Sequence, residues 1–196
     1  MSAPAALVVA KIMYPETEES ETMGDLKVSI EKTDANALDA LGRGATDGLK
    51  LAANIAALFS IAKPGDRFMA PQLDAGAHIS TQRFGAAGLR GLETITYPSI
   101  PETMSIDSEL AEIMILKEKP NVCYFGQSVF LFPSELDILV EAAREVNANI
   151  MYDAAHVLGL IAGGIFQDPL GDGVDLVTAS THKTFPGPQH GIILAN

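Results

Sequence analysis

The sequence predicts an α/β domain: a mostly parallel sheet covered by helices. Three observations lead there. Short apolar runs recur without polar alternation, as expected of strands buried on both faces. Stretches of helical period fall between those runs, the rhythm of parallel strands joined by crossover helices. The 196 residues are 47% hydrophobic and 19% charged, enough apolar material for one core. With a single Cys123, no disulfide framework is expected.

Residues 1–45 predict an N-terminal arm and acidic loop, and residues 46–196 the folded domain. Ala3 to Ala10 is apolar but has no basic leader and runs into Lys11, so it does not predict a secretory signal. Pro15 to Asp25 is acidic, without apolar period, and reads as a solvated segment. From Asp47 the period becomes helical, with Leu51, Ile55, Leu58 or Phe59, and Ala62 on one face and a stop at Pro64-Gly65-Asp66. The predicted strands are Arg67 to Ala70, Thr94 to Tyr97, Asn121 to Phe125, Asn149 to Tyr152, Val174 to Thr178 and Gly191 to Leu194. Between them Ser108 to Lys117 and Ser134 to Val146 predict amphipathic helices, the second capped by Ser134 and burying Leu136, Leu139, Val140 and Ala143. Phe125, Phe130, Leu131 and Phe132 cluster around Ser128 and are expected in the core rather than at an interface.

Charge narrows the function classes. The formal net charge of −12 repels a phosphate backbone, so nucleic acid is not an expected partner, although a local site can still hold a small anion. No charge-free run reaches the roughly 18 residues of a membrane span; Ala154 to Phe166 is too short and carries His156. No membrane association and a cytoplasmic location are expected, and the lone Cys123 agrees.

In parallel α/β sheets, ligands sit at the carboxyl ends of the strands. One predicted strand runs into Asp153-Ala154-Ala155-His156, and the next into Ser180-Thr181-His182-Lys183. A carboxylate and an amine in one crevice suit pyridoxal phosphate: the amine forms a Schiff base with its aldehyde, and the acid keeps its pyridine nitrogen protonated. Read from spacing alone, Asp153 as a helix cap and Lys183 as a solvated loop residue remain open. Pro186-Gly187-Pro188 forms a rigid turn after Lys183, and Ser180 and Thr181 offer hydroxyls to a phosphate. No metal is expected.

Tyr152-Asp153-Ala154-Ala155-His156-Val157-Leu158-Gly159-Leu160-Ile161-Ala162-Gly163-Gly164, followed by Ser180 to Gln189, resembles serine hydroxymethyltransferase and its relatives of the aspartate aminotransferase-type pyridoxal-phosphate fold. The likeness extends more weakly back through Gly76-Ala77-His78 to the helix containing Asn54, covering roughly residues 49–196. It implies that residues 46–196 are part of the cofactor-binding large domain, with the C-terminal small domain absent. By resemblance Lys183 is the Schiff-base lysine, Asp153 the partner of the pyridine nitrogen, and His156 a neighbour of the cofactor's phenolic oxygen; these three are the candidate catalytic residues. His78 matches a histidine stacked on the ring, Ser128 a serine contacting the cofactor, and Ser180 and His182 the residues flanking the lysine. His190 falls where the family has glycine and is assigned no role.

Two departures accompany the likeness. Where relatives have a Ser-Gly-Ser type phosphate turn, this chain has Leu49-Lys50-Leu51; a shifted reading uses Gly44 to Gly48 but places Asp47 against the phosphate. Gln189 stands where relatives commonly have arginine, and Arg43, Arg67, Arg83, Arg90 and Arg144 all precede the family's carboxylate-clamping position. The resemblance implies pyridoxal-phosphate-dependent Cα–Cβ chemistry on a small β-hydroxy amino acid, of the serine/glycine hydroxymethyl transfer type. A homo- or hetero-oligomer with a chain supplying the C-terminal domain would complete it, and the folate requirement stays open. Threonine aldolase or transaldolase activity, and a truncated regulatory paralogue that keeps the fold, are the alternatives.

Overall fold

The computed structural model describes residues 55–129 and 132–196. Residues 55–61 form helix α1, closed by the turn the sequence announces. Asp66 Oδ2 accepts the Lys63 N–H at 2.7 Å, and Gly65 takes a φ of 88° that other residues rarely adopt. Arg90 seals the end of α1, donating to the Ala62 carbonyl while its guanidinium lies 4.5 Å from the Phe59 ring centroid.

Strands β1 (Arg67–Ala70), β2 (Glu93–Thr96), β5 (Val122–Gly126), β6 (Asn149–Asp153), β7 (Leu176–Ser180) and β8 (Gly191–Ala195) form one sheet in the order β2-β1-β5-β6-β7-β8. All neighbours run parallel except β8, which is antiparallel to β7. A separate two-stranded antiparallel pair, β3 (Ser99–Ile100) and β4 (Ser105–Ile106), stands after β2. Helices α2 (Ala86–Leu89), α3 (Ser108–Glu118), α4 (Leu136–Glu145) and α5 (Leu158–Ala162), with a short 3-10 turn at Ile79–Thr81, complete the elements.

Side chains alternate across each strand, so the sheet presents two faces. One carries Phe68, Val122, Tyr124 and Met151 and clusters with Ala57, Leu58 and Ala62 around α1. The other carries Met69, Cys123, Phe125, Ile150, Tyr152 and Val177 and clusters with Ala111 and Ile115 of α3 and Leu136, Leu139 and Ala143 of α4. Burial on both faces explains the continuous apolar runs. It also pushes the Cys123 thiol up to about 12, so that it behaves as a core side chain.

Several expectations need correction. α4 begins at Leu136 with Glu135 as its cap residue, and Ser134 does not cap it. The Ser134 backbone is instead clamped by the Gln167 amide, which accepts from its N–H and donates to its carbonyl, each at 3.1 Å. β7 starts two residues later than predicted, because the Asp175 carboxylate, paired with Arg144, takes the Ile150 N–H at 2.7 Å ahead of the strand. Tyr97 lies just beyond β2 yet is wholly buried, stacked on Phe125. Phe132 is 58% exposed rather than core, while Phe130 and Leu131 lie outside the described residues. The acidic segment 15–25, the start of the helix at Asp47, and both candidate phosphate turns also lie outside them. Among the described residues, no helix is long and apolar enough to cross a membrane.

Candidate functional site

The site lies at the carboxyl ends of β5, β6 and β7, where Gly126, Asp153 and Thr178 stand side by side in register. Asp153 closes β6 and is only 8% exposed. Its Oδ2 accepts the Tyr124 hydroxyl at 2.8 Å, and its Oδ1 accepts the Ala155 N–H at 2.8 Å. The neighbouring strand comes so close that a Cβ on Gly126, at φ 95°, would stand 2.3 Å from the Asp153 carbonyl oxygen. Only glycine permits that approach. Asp153 does not cap the following helix, whose N-cap is Val157; it binds the Ala155 N–H ahead of that helix and stays buried at the strand edge.

Lys183 follows β7 in the exposed loop that returns as β8, and its Nζ lies 3.1 Å from His156 Nε2. Thr181 closes that loop: its N–H donates to the His190 carbonyl at 3.0 Å, and its hydroxyl donates to the Pro188 carbonyl at 2.5 Å and accepts the His190 N–H at 3.2 Å. The expectation that Thr181 offers its hydroxyl to a phosphate is thus corrected, because that oxygen holds the loop's two ends together. On the other side the loop rests on α5, where Gly159 donates its N–H to Thr184 Oγ1 at 3.2 Å. A Cβ on Gly159 would stand 2.2 Å from the Thr184 carbonyl oxygen. The glycine three residues after His156 therefore lets the Lys183 loop dock.

His156 is held below its ordinary pKa, first by burial and then by Lys183 and His78, with Asp153 opposing. These four side chains thus share one electrostatic neighbourhood. His78 is exposed, and its ring is fixed by the Ser80 N–H, which donates to Nδ1 at 3.2 Å, and by Ser80 Oγ at 2.8 Å from the same atom. Its loop docks on the loop after β5: the Ser128 N–H donates to the Gly76 carbonyl at 2.8 Å, and a Cβ on Gly76 would meet the Val129 carbonyl at 2.9 Å. Half-buried Ser128 is thereby brought to the same edge. Ser180 ends β7 and is buried, and half-buried His182 precedes Lys183. Tyr124 escaped sequence reasoning. The two-residue period puts it on the face of Gly126, but only the register of β5 against β6 brings it to Asp153.

The donor set fits pyridoxal phosphate. Asp153 accepts hydrogen bonds from two neutral donors, the Tyr124 hydroxyl and the Ala155 N–H. A buried carboxylate held by neutral donors suits a cationic ligand group, and a protonated pyridine nitrogen is one. An amine stands in the adjoining loop for the aldehyde.

A family model described as serine hydroxymethyltransferase matches residues 48–196. A second model, described as Na+ dependent nucleoside transporter C-terminus, matches residues 1–62, less than half of the chain and mostly outside the described residues. Among curated proteins, the chain is similar to serine hydroxymethyltransferase of Thermoplasma acidophilum, 58% identical over 144 residues, which is 74% of this chain and 34% of that protein. The enzymes of the same name from Methanothermobacter thermautotrophicus and Pyrococcus abyssi are each 54% identical over 142 residues, 72% of this chain and 34% and 33% of theirs. The chain spans about a third of the length of the curated relatives it matches.

Proposed function

The chain belongs to the serine hydroxymethyltransferase family, and from that premise we propose that residues 46–196 form the cofactor-binding face of a pyridoxal-phosphate site. The site acts at the Cα–Cβ bond of a β-hydroxy amino acid, with hydroxymethyl transfer between serine and glycine as the reaction. The observation that carries this reading is the buried Asp153 carboxylate, held by neutral donors, at the edge that also presents Lys183.

When bound, pyridoxal phosphate supplies an aldehyde for an amine and a protonated ring that withdraws electrons from the reacting carbon. Asp153 holds the ring nitrogen's charge. Lys183 presents its amine, and His156, kept neutral near pH 7 by its lowered pKa, accepts a hydrogen bond from the Lys183 ammonium at Nε2. His78 offers a ring fixed by Ser80 as a stacking surface. Ser128, Ser180 and His182 line the cofactor side. Groups that bind the substrate carboxylate and the one-carbon acceptor are expected beyond the described residues, either elsewhere in the same protein or in a second chain of an oligomer.

The test is a visible absorbance spectrum of purified protein with added pyridoxal phosphate. A band in the wild type that Lys183→Ala lacks supports the reading, and no band in the wild type overturns it. Serine, threonine and glycine added in turn then separate hydroxymethyl transfer from aldol cleavage by which amino acid changes the band.

A further inference from the structure

Tyr124 lies one strand away from Asp153, 5% exposed, against the Phe68 ring at 5.6 Å between centroids. A phenylalanine would fill the same space without a polar atom to satisfy. The hydroxyl instead donates to Asp153 Oδ2 at 2.8 Å. Burying a hydroxyl is costly unless it is bonded, so this one is explained by its partner. We propose that Tyr124 is a positioning residue for Asp153, fixing the orientation in which the carboxylate receives a cationic ring nitrogen.

A phenol suits this task better than a lysine or an arginine. A cationic donor would cancel the Asp153 charge and compete with the incoming nitrogen. A phenol supports the charge while leaving it in place. Burial first, and then the Asp153 charge and hydrogen bond, hold the Tyr124 phenol well above its ordinary pKa, so it remains a donor throughout the working range. The Ala155 N–H fixes Oδ1 and Tyr124 fixes Oδ2, and two bonds on different atoms define the carboxylate plane. The geometry is local: Tyr124 sits two residues before Gly126, whose missing side chain lets β5 and β6 meet closely at Asp153.

The part of this inference that concerns the cofactor rests on the function proposed above, so its test has an arm without cofactor. In cofactor-free protein, proton NMR should show a slowly exchanging Tyr124 hydroxyl resonance, absent in Tyr124→Phe and moved in Asp153→Asn. In cofactor-loaded protein, Tyr124→Phe should keep the fold, weaken pyridoxal phosphate binding about tenfold and shift the pH dependence of the visible band. A hydroxyl resonance indifferent to Asp153→Asn overturns the proposal whatever the cofactor does. Unchanged affinity and an unchanged band in Tyr124→Phe also overturn it. If the resonance responds but the wild type gives no band, the cofactor reading fails while the hold of Tyr124 on Asp153 stands.

Discussion

At the scale of single residues, His156 makes the site sensitive to acid. Its pKa is lowered from 6.5 in the folded chain, by burial first and by Lys183 next. Below about 6.5 the unfolded chain therefore takes up a proton that the folded chain resists, and stability falls as pH drops toward the folded value. The contribution is fully present above 6.5. We expect the thermal midpoint of the wild type to decline between neutral and mildly acidic pH more steeply than that of His156→Gln; parallel declines would show that His156 is not the group concerned. Asp153, His156 and Lys183 stand out in the sequence because the residues around them resemble two family motifs, and the structure brings Lys183 Nζ within 3.1 Å of His156 Nε2. Tyr124 was not legible as part of the site, because its bond to Asp153 depends on the register of β5 against β6. Thr181 misled for a related reason: a hydroxyl beside a lysine reads as a ligand group until the loop's return at His190 is known.

At the scale of elements, strands buried on both faces were legible to within two residues, since their apolar runs are continuous. The β3–β4 pair was not: Ser99–Ile100 and Ser105–Ile106 are each two residues long, too short for any period to register. α5 escaped too, at five residues without a side-chain cap. Two variants separate the roles of these elements. Leu139→Ala, in the wholly buried face of α4, removes core packing on the sheet face opposite Tyr124 and should cost about 2–5 kcal/mol in urea unfolding, with the cofactor band intact in the remaining folded protein. Gly159→Ala acts where α5 meets the Lys183 loop. Its Cβ would stand 2.2 Å from a backbone oxygen, so the loop must move or the fold lose roughly 1–3 kcal/mol. The expected signature is a weakened cofactor band with helical circular dichroism unchanged; a normal band would show that the loop tolerates the displacement.

At the scale of the whole molecule, the candidate ligand residues come from turns after β1, β5, β6 and β7, so a bound cofactor would tie four strand ends together. A ligand that binds only the folded state stabilises it by RT ln(1 + [L]/Kd), about 2.7 kcal/mol at a hundredfold excess over Kd. For a chain of this length that corresponds to roughly 5–10 °C in the thermal midpoint. Pyridoxal phosphate should raise the wild-type midpoint by that amount and Lys183→Ala by distinctly less, because the Schiff-base contribution is gone while Asp153 remains. Equal shifts would place the binding elsewhere than at Lys183. The overall charge adds a kinetic counterpart. A net charge of −12 repels an anionic ligand at long range, and salt screens that repulsion beyond a Debye length of about 10 Å at 0.1 M. The association rate, followed by stopped-flow absorbance, should therefore rise with added salt. A rate that falls with salt would mean that the local field of Lys183 and its neighbours outweighs the acidic surface and steers the anion in.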